Sequence, residues 1–324
     1  MTRLLPLVLL LVAGIVYADS TWLTRASKAV RTTDYRGTLV YLRNGKMDTL
    51  RVVHRHREGS ERERLISLTG EPREIIRHNG EVNCILPEKR VVLVAKHAMQ
   101  SLLSNVADMS ADTLQDNYTV RDLGERRLAD RQCRAIAIEP RDDYRYGYRL
   151  LIDAKTDLPL KLDLLQGDEV LEQLMFTDID FAADIADSEL QPTFDTDGFR
   201  WVRHQPMHSA KSGGNEDDAE PPPAWRIDDL PPGFSLAESG VRQVDNNLMA
   251  RQMLFTDGVA TVSAFIAPLA ERKAFSGETT MGAVNAFGRE VDGFQITVVG
   301  EVPHITAEMI GNNIRRDTDA AASE

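Results

Sequence analysis

Two histidine pairs and two cysteines are the residues of this chain whose types could do metal or redox chemistry. His54 and His56 stand two positions apart, which on a strand puts both on one face and offers two metal ligands. No third ligand of suitable spacing accompanies them, so a solvated polar pair in a basic strand is the simpler reading. His204 and His208 have the i, i+4 spacing of a helical pair, but Pro206 between them argues against the helix. Cys84 and Cys133 form neither a CxxC nor a Cys/His cluster, which leaves redox catalysis and structural zinc without support. With no GxSxG elbow, P-loop, HExxH or strand-following GxGxxG either, the sequence reads as a non-enzyme without a cofactor.

Residues suited to binding are more prominent. Arg51, Arg55, Arg57, Arg62 and Arg64 fall in two stretches joined by a turn near Gly59, so strand pairing gathers guanidinium groups fit for phosphate or carboxylate. Arg55, Arg57, Arg62 and Arg64 are therefore candidates for holding an anionic head group. Glu58, Glu61 and Glu63 partly neutralise them, and a self-paired solvated face is the alternative. Tyr144, Tyr146 and Tyr148 alternate along one stretch, as packing residues or as the aromatic lip of a lipid cavity or peptide groove. Leu39, Tyr41, Ile75, Ile85, Val92 and Val94 are the matching candidates for a cavity lining or an ordinary core; alternation does not tell which strand face points inward.

The elements that must position these residues follow a leader. Arg3 precedes an uncharged run from Leu4 to Ala18 that Asp19 closes, the pattern of a secretory signal peptide over 1–18. The run is shorter than the roughly 20 residues of a spanning helix, which disfavours a retained anchor. Export to an oxidising compartment then favours a Cys84–Cys133 disulfide over two buried free thiols. Net charge is −12, from 38 Lys plus Arg against 50 Asp plus Glu, and it argues against a nucleic-acid partner. The acid lies mainly beyond residue 150, while residues 19–150 carry a basic excess.

Trp22, Leu23, Ala26, Ala29 and Val30 recur at helical spacing and open the mature chain with an amphipathic helix. Alternating segments from Tyr35, with Asn44-Gly45 and Asn79-Gly80 as hairpin turns, predict an antiparallel meander to about residue 95. Residues 97–115 read as helical, and strands resume at Tyr118, Gln132, Tyr146, Leu158 and Val170. Residues 204–223, with Gly213-Gly214, an acidic block and Pro221 to Pro223, read as a linker. Strands at 234–241, 249–255, 259–266, 283–289 and 294–300 and a helix from Pro303 follow. The fold class is α+β: a domain over 19–203, the linker, then a smaller α+β domain over 224–324 ending in a helix.

Several blocks carry a family resemblance. Tyr35-Arg36-Gly37-Thr38-Leu39-Val40-Tyr41, Arg43-Asn44-Gly45 and Glu63-Arg64-Leu65 resemble the opening of the RseB/MucB family. Pro140-Arg141-Asp142, Tyr144-Arg145-Tyr146-Gly147-Tyr148 and Thr156-Asp157-Leu158-Pro159-Leu160-Lys161 are similar to it, as are Leu230-Pro231-Pro232-Gly233-Phe234 and Val298-Val299-Gly300-Glu301-Val302-Pro303. The resemblance implies a periplasmic negative regulator of the sigma-E-type envelope stress response. Such a protein binds the periplasmic region of a membrane anti-sigma factor of RseA/MucA type and shields it from regulated proteolysis. It also implies a first domain like the LolA-type lipoprotein carriers, an unclosed antiparallel β-barrel packed on helices that can accept lipid; together with the apolar strands and the Arg51–Arg64 group, this makes an amphipathic lipid or lipopolysaccharide the expected release signal. The alternative function is a periplasmic lipid or lipoprotein carrier. The resemblance transfers no catalytic or partner-binding residue, and it leaves self-association into a homo-oligomer open.

Overall fold

The computed structural model describes residues 21–96, 103, 109, 111–181, 184–203, 225–245, 248–269 and 273–317. The expected 1–18 leader, most of the expected 97–115 helix and the expected 204–223 linker lie outside the described residues.

Helix α1 (Thr21–Thr32) buries Trp22, Leu23, Ala26, Ala29 and Val30, the stripe that its spacing predicts. Strands β1 (Tyr35–Arg43), β2 (Lys46–Arg57), β3 (Ser60–Ser67), β4 (Glu74–His78), β5 (Glu81–Leu86) and β6 (Val91–Lys96) form the first meander. At the β1–β2 and β4–β5 turns, Asn44-Gly45 and Asn79-Gly80 all have positive φ, as a two-residue primed turn requires. The short helix α2 (Ala111–Asn117) leads into β7 (Tyr118–Leu128), β8 (Arg131–Pro140), β9 (Gly147–Asp153), β10 (Pro159–Gln166) and β11 (Glu169–Asp180).

The two meanders are one sheet, because β11 pairs antiparallel with β1. Twelve strands result, in the order β12-β6-β5-β4-β3-β2-β1-β11-β10-β9-β8-β7, where β12 (Arg200–Arg203) runs parallel to β6. The end strands β7 and β12 do not pair, so the sheet stays unclosed. Residues 184–199 form a strap on the opposite face from α1. Ile185 and Leu190 pack on Val53, and Phe194 and Phe199 pack against Ile85, Val92 and Val94. Neither the strap nor β12 has a pattern in the sequence, since both depend on a surface assembled from distant strands.

After β13 (Trp225–Ile227), a second sheet is built from β14 (Ser235–Asp245), β15 (Leu248–Thr256), β16 (Thr261–Pro268), β17 (Gly277–Met281), β18 (Val284–Val291) and β19 (Phe294–Gly300). Its order is β14-β15-β16-β19-β18-β17. Helix α3 (His304–Asn313) covers it, and β20 (Ile314–Arg316) pairs with β13. A Cβ at Gly311 would lie 2.4 Å from the Phe287 ring, so a glycine inside α3 lets the helix approach β18 closely. Phe255, Val262, Ala264, Ile296, Val298 and Ile310 form the core between them.

Candidate functional site

The β8–β9 turn carries the contacts that join the two sheets. The Asp142 carboxylate accepts from the Tyr144 N–H at 3.0 Å and folds the turn locally. Arg145, only 2% exposed, then reaches the second sheet: its Nη1 lies 3.3 Å from Asp257 Oδ2, and its Nη2 donates to the Pro232 carbonyl. Asp142 completes the ion cluster, 3.2 Å from Arg145 Nε. The guanidinium stands over the rings of Tyr118 and Phe234 at 5.8 and 5.4 Å, so one cation is shared by both domains.

Tyr146 makes the second tie. Its hydroxyl donates toward the carbonyls of Ala283 and Val302, both at 3.1 Å, and accepts from Asn285 Nδ2 at 3.0 Å. Burial pushes this hydroxyl up to about 12, which keeps it a neutral donor. Thr306 Oγ1 adds a bond to the Tyr144 carbonyl at 2.6 Å. Glycines let backbone meet side chain at two further points. A Cβ on Gly282 would fall 2.1 Å from Asn44 Oδ1, and one on Gly233 2.4 Å from Asn117 Oδ1. Both glycines also have positive φ, so a side chain would be strained there as well as clashing.

Two open clefts flank the Tyr146 tie. The larger, about 620 Å³, lies between Pro140, Asp142, Tyr148, Arg149 and Leu165 on one side and Pro303, His304 and Ile305 on the other. The smaller, about 460 Å³, is bordered by Asn44, Gly45 and Val170 from the first sheet and Thr280 and Gly282 from the second. Gln166 and His304 border both. A lining of mixed charge, amide and aliphatic groups suits a peptide with polar and apolar side chains rather than a reacting small molecule. Among the described residues, no group of three or more His, Cys, Asp or Glu is placed to hold a metal.

The seam also collects acid. Glu172 on β11, nearly buried, accepts from the Tyr41 hydroxyl and lies 3.1 Å from Arg43 Nε. Glu301, directly after β19, comes from the other domain. Burial first, and the Glu172 charge second, push its carboxyl up to about 7, against the pull of Arg43.

The structure redistributes the residues singled out from sequence. Tyr144 and Tyr146 precede β9 rather than alternating along a strand, and only Tyr148 lies within it. Tyr146 and Tyr148 are buried in the core with Trp22, Tyr118 and Leu150, so the three tyrosines do not form a lip. The six apolar positions split between two faces. Leu39, Tyr41 and Ile75 share the α1 side, whereas Ile85, Val92 and Val94 lie under the strap. One cavity cannot take all six, because neighbouring strand residues point to opposite faces.

The arginines are similarly committed. Arg55 donates to the Ile185 carbonyl at 2.8 Å and pairs with Asp187, while Arg64 bonds Glu74 at 2.7 Å and Thr193. Arg57 lies 3.5 Å from Asp184, and Arg62 is half-buried nearby. Arg55, Arg57 and Arg64 clamp the strap, and an anionic head-group site on Arg55 and Arg64 is replaced by internal pairing. The strap was invisible in the sequence, so its carboxylates and carbonyls could not be matched to the arginines. The expected disulfide is likewise corrected: Cys84 and Cys133 are free, buried thiols. They sit on β5 and β8, with seven strands between them in sheet order. A disulfide needs Cα atoms within about 7 Å.

Sequence comparison extends over both domains. The chain matches the family model of the MucB/RseB N-terminal domain over residues 18–194 and that of the MucB/RseB C-terminal domain over 219–315. It belongs to the MucB/RseB family. It is 34% identical over 309 residues to the sigma factor AlgU regulatory protein MucB of Pseudomonas aeruginosa, covering 93% of this chain and 92% of that one. The sigma-E factor regulatory protein RseB of Escherichia coli K12 is 25% identical over 304 residues, with 92% and 91% covered. Among solved structures, the Pseudomonas aeruginosa MucA/MucB complex matches with a TM-score of 0.70 at 31% identity, covering 92% of this chain and 99% of that one. MucB in complex with MucA(peri) matches at 0.69 and 30%, covering 93% and 100%. The MucB/RseB match thus spans both sheets and the seam between them.

Proposed function

We propose that this protein is a periplasmic negative regulator of an envelope stress response, a binding protein without catalytic activity. It holds the periplasmic region of a membrane anti-sigma factor of MucA/RseA type and shields it from regulated proteolysis. The observation that carries this reading is the two-domain match to MucB solved with MucA, at a TM-score of 0.70 over 92% of the chain. The larger seam cleft is where we place the bound segment, because its walls come from both domains and an extended peptide there would be covered on two sides. The test uses the mature chain from residue 19, the periplasmic segment of its own anti-sigma factor and the site-one protease. Saturating protein should slow cleavage at least tenfold, and Arg149→Glu at the cleft wall should weaken binding without unfolding the chain. Equal cleavage rates with and without the protein overturn the reading.

A second reading, lipid as the release signal, has its own support. Register places Val202, Leu93, Cys84, Ile75, Leu65 and Val52 in one row across the first sheet, and at its end Leu93 and Val202 remain 40% and 38% exposed. An acyl chain laid on that end would cover them. Release then requires the lipid to favour the partner-free form, by a factor of ten for each tenfold loss of partner affinity. Unchanged partner affinity at saturating lipid excludes it.

A further inference from the structure

The β8–β9 turn and the β15–β16 turn each present one buried charge to the other domain. Asp142 accepts from the Tyr144 N–H and lies 3.2 Å from Arg145 Nε, so the first turn aims its guanidinium by local contacts alone. The Asp257 carboxylate is divided between two tasks. Its Oδ1 accepts from the Val259 and Ala260 N–H groups at 2.9 and 2.7 Å and folds its own turn. Its Oδ2 has no hydrogen-bond donor among the described residues, and the cation at ion-pair distance from it is Arg145 Nη1, at 3.3 Å. Both side chains are 0% exposed, so each charge is met inside the protein. Asp142 and Arg145 form part of the wall of the larger cleft, whereas Asp257 borders neither cleft.

We propose that Arg145 and Asp257 are positioning residues of the partner site: their ion pair selects the one arrangement of the two domains that shapes the larger cleft, and partner affinity depends on that arrangement. This inference rests on the reading of the larger cleft as the seat of the anti-sigma segment. A charge leaves water for a domain boundary at a large desolvation cost, which is offset only where its counter-charge stands in place. Sliding the second sheet along the first would leave both Arg145 and Asp257 buried and apart, the least favourable state for either. Apolar contacts are non-directional and tolerate such sliding. The pair therefore discriminates between arrangements more than it stabilises the fold, because the attraction of two buried charges does little more than offset their desolvation. Without it the cleft-forming arrangement becomes one of several, and apparent affinity falls with its population.

The experiment compares the mature full-length chain with Arg145→Met/Asp257→Leu, which fills similar volume without charge. Backbone residual dipolar couplings of the free protein report the arrangement of the sheets, and affinity for the periplasmic segment of its own anti-sigma factor reports the site. In the native protein one alignment tensor should fit both sheets. In the double variant the urea midpoint should equal or exceed the native one, while the two sheets require separate tensors. Affinity should fall about tenfold, the loss expected when the cleft-forming arrangement is populated about a tenth of the time. Asp257→Asn, whose amide oxygen still serves the Val259 and Ala260 N–H groups, should lose affinity in the same direction. A lower midpoint with a single tensor marks a merely structural pair and overturns the proposal, as does a double variant that binds like the native protein. Two tensors in the free native protein overturn it without any variant. A native protein that fits one tensor but does not bind the segment overturns the partner reading instead, and the couplings of the double variant still decide whether the pair sets the arrangement.

Discussion

Asn285 Nδ2 donates to the Tyr146 hydroxyl at 3.0 Å, joining residues 139 positions apart across the boundary of the two sheets. The same hydroxyl donates toward two backbone carbonyls of the second domain, those of Ala283 and Val302. A single phenol thus fixes the two turns of the second sheet that face the first, and with them the width of both clefts.

Tyr146→Phe keeps the ring in the core but leaves the Asn285 amide one acceptor short and removes a donor from both carbonyls. The expected cost is about 1–3 kcal/mol in urea unfolding, the range for unsatisfied buried polar groups. Faster exchange should be confined to the seam.

Arg64 and Glu74 pair at 2.7 Å on the strap face, and Glu74 is only 1% exposed. Removing one partner strands a buried charge, so Arg64→Ala should cost about 3–5 kcal/mol. Replacing both by methionine should recover most of that loss, because no unpaired charge is then left. Arg62→Gln, with no bond to the strap, should change stability by less than about 0.5 kcal/mol. Urea midpoints of the three variants distinguish these outcomes.

Neither thiol should protect the other. Alkylation in denaturant without reductant should label both Cys84 and Cys133, and mass spectrometry should find no linked peptide. In the folded protein both should react slowly. Burial pushes the Cys133 thiol up to about 11, with the Asp153 charge adding to it, and burial raises Cys84 as well.

His54 supplies a pH dependence independent of the seam. It is 1% exposed and stacked on Tyr35 at 5.1 Å; its Nδ1 lies 2.7 Å from the Thr33 carbonyl and its Nε2 3.4 Å from Glu61. Burial alone would pull its proton off, but the Glu61 bond, the Glu63 charge and the Thr33 carbonyl outweigh it and raise the value above 6.5. With the folded value raised, this stabilisation is fully present below the ordinary value and is lost as pH rises through the folded one. Thermal unfolding from pH 5 to 9 should show the loss, and His54→Gln should remove that part of the profile. An NMR midpoint for His54 below 6.5 would contradict it.

Local order was legible along most of the chain. Asn44-Gly45 and Asn79-Gly80 marked their hairpins because only a few residue types tolerate left-handed backbone there. The α1 stripe from Trp22 to Val30 declared its buried face through a period of 3.6 residues. Period and turn chemistry act within a few residues, so a single segment contains them. The family blocks, from Tyr35 to Pro303, were legible for the same reason, and they placed the chain in its regulatory class.

What the sequence could not contain was the assignment of long-range partners. Arg55 and Arg64 are ordinary strand arginines until the strap of 184–199 brings a carbonyl at Ile185 and a hydroxyl at Thr193 to them. Tyr146 and Glu301 become seam residues only when the β8–β9 turn meets the end of β19. Cys84 and Cys133 suggested a bond by compartment alone, and the order of the strands decided otherwise. A side chain's type sets which bonds it can make, but burial and partner geometry decide which of them form. Those are properties of surfaces assembled from strands distant in the chain, and no local pattern encodes them.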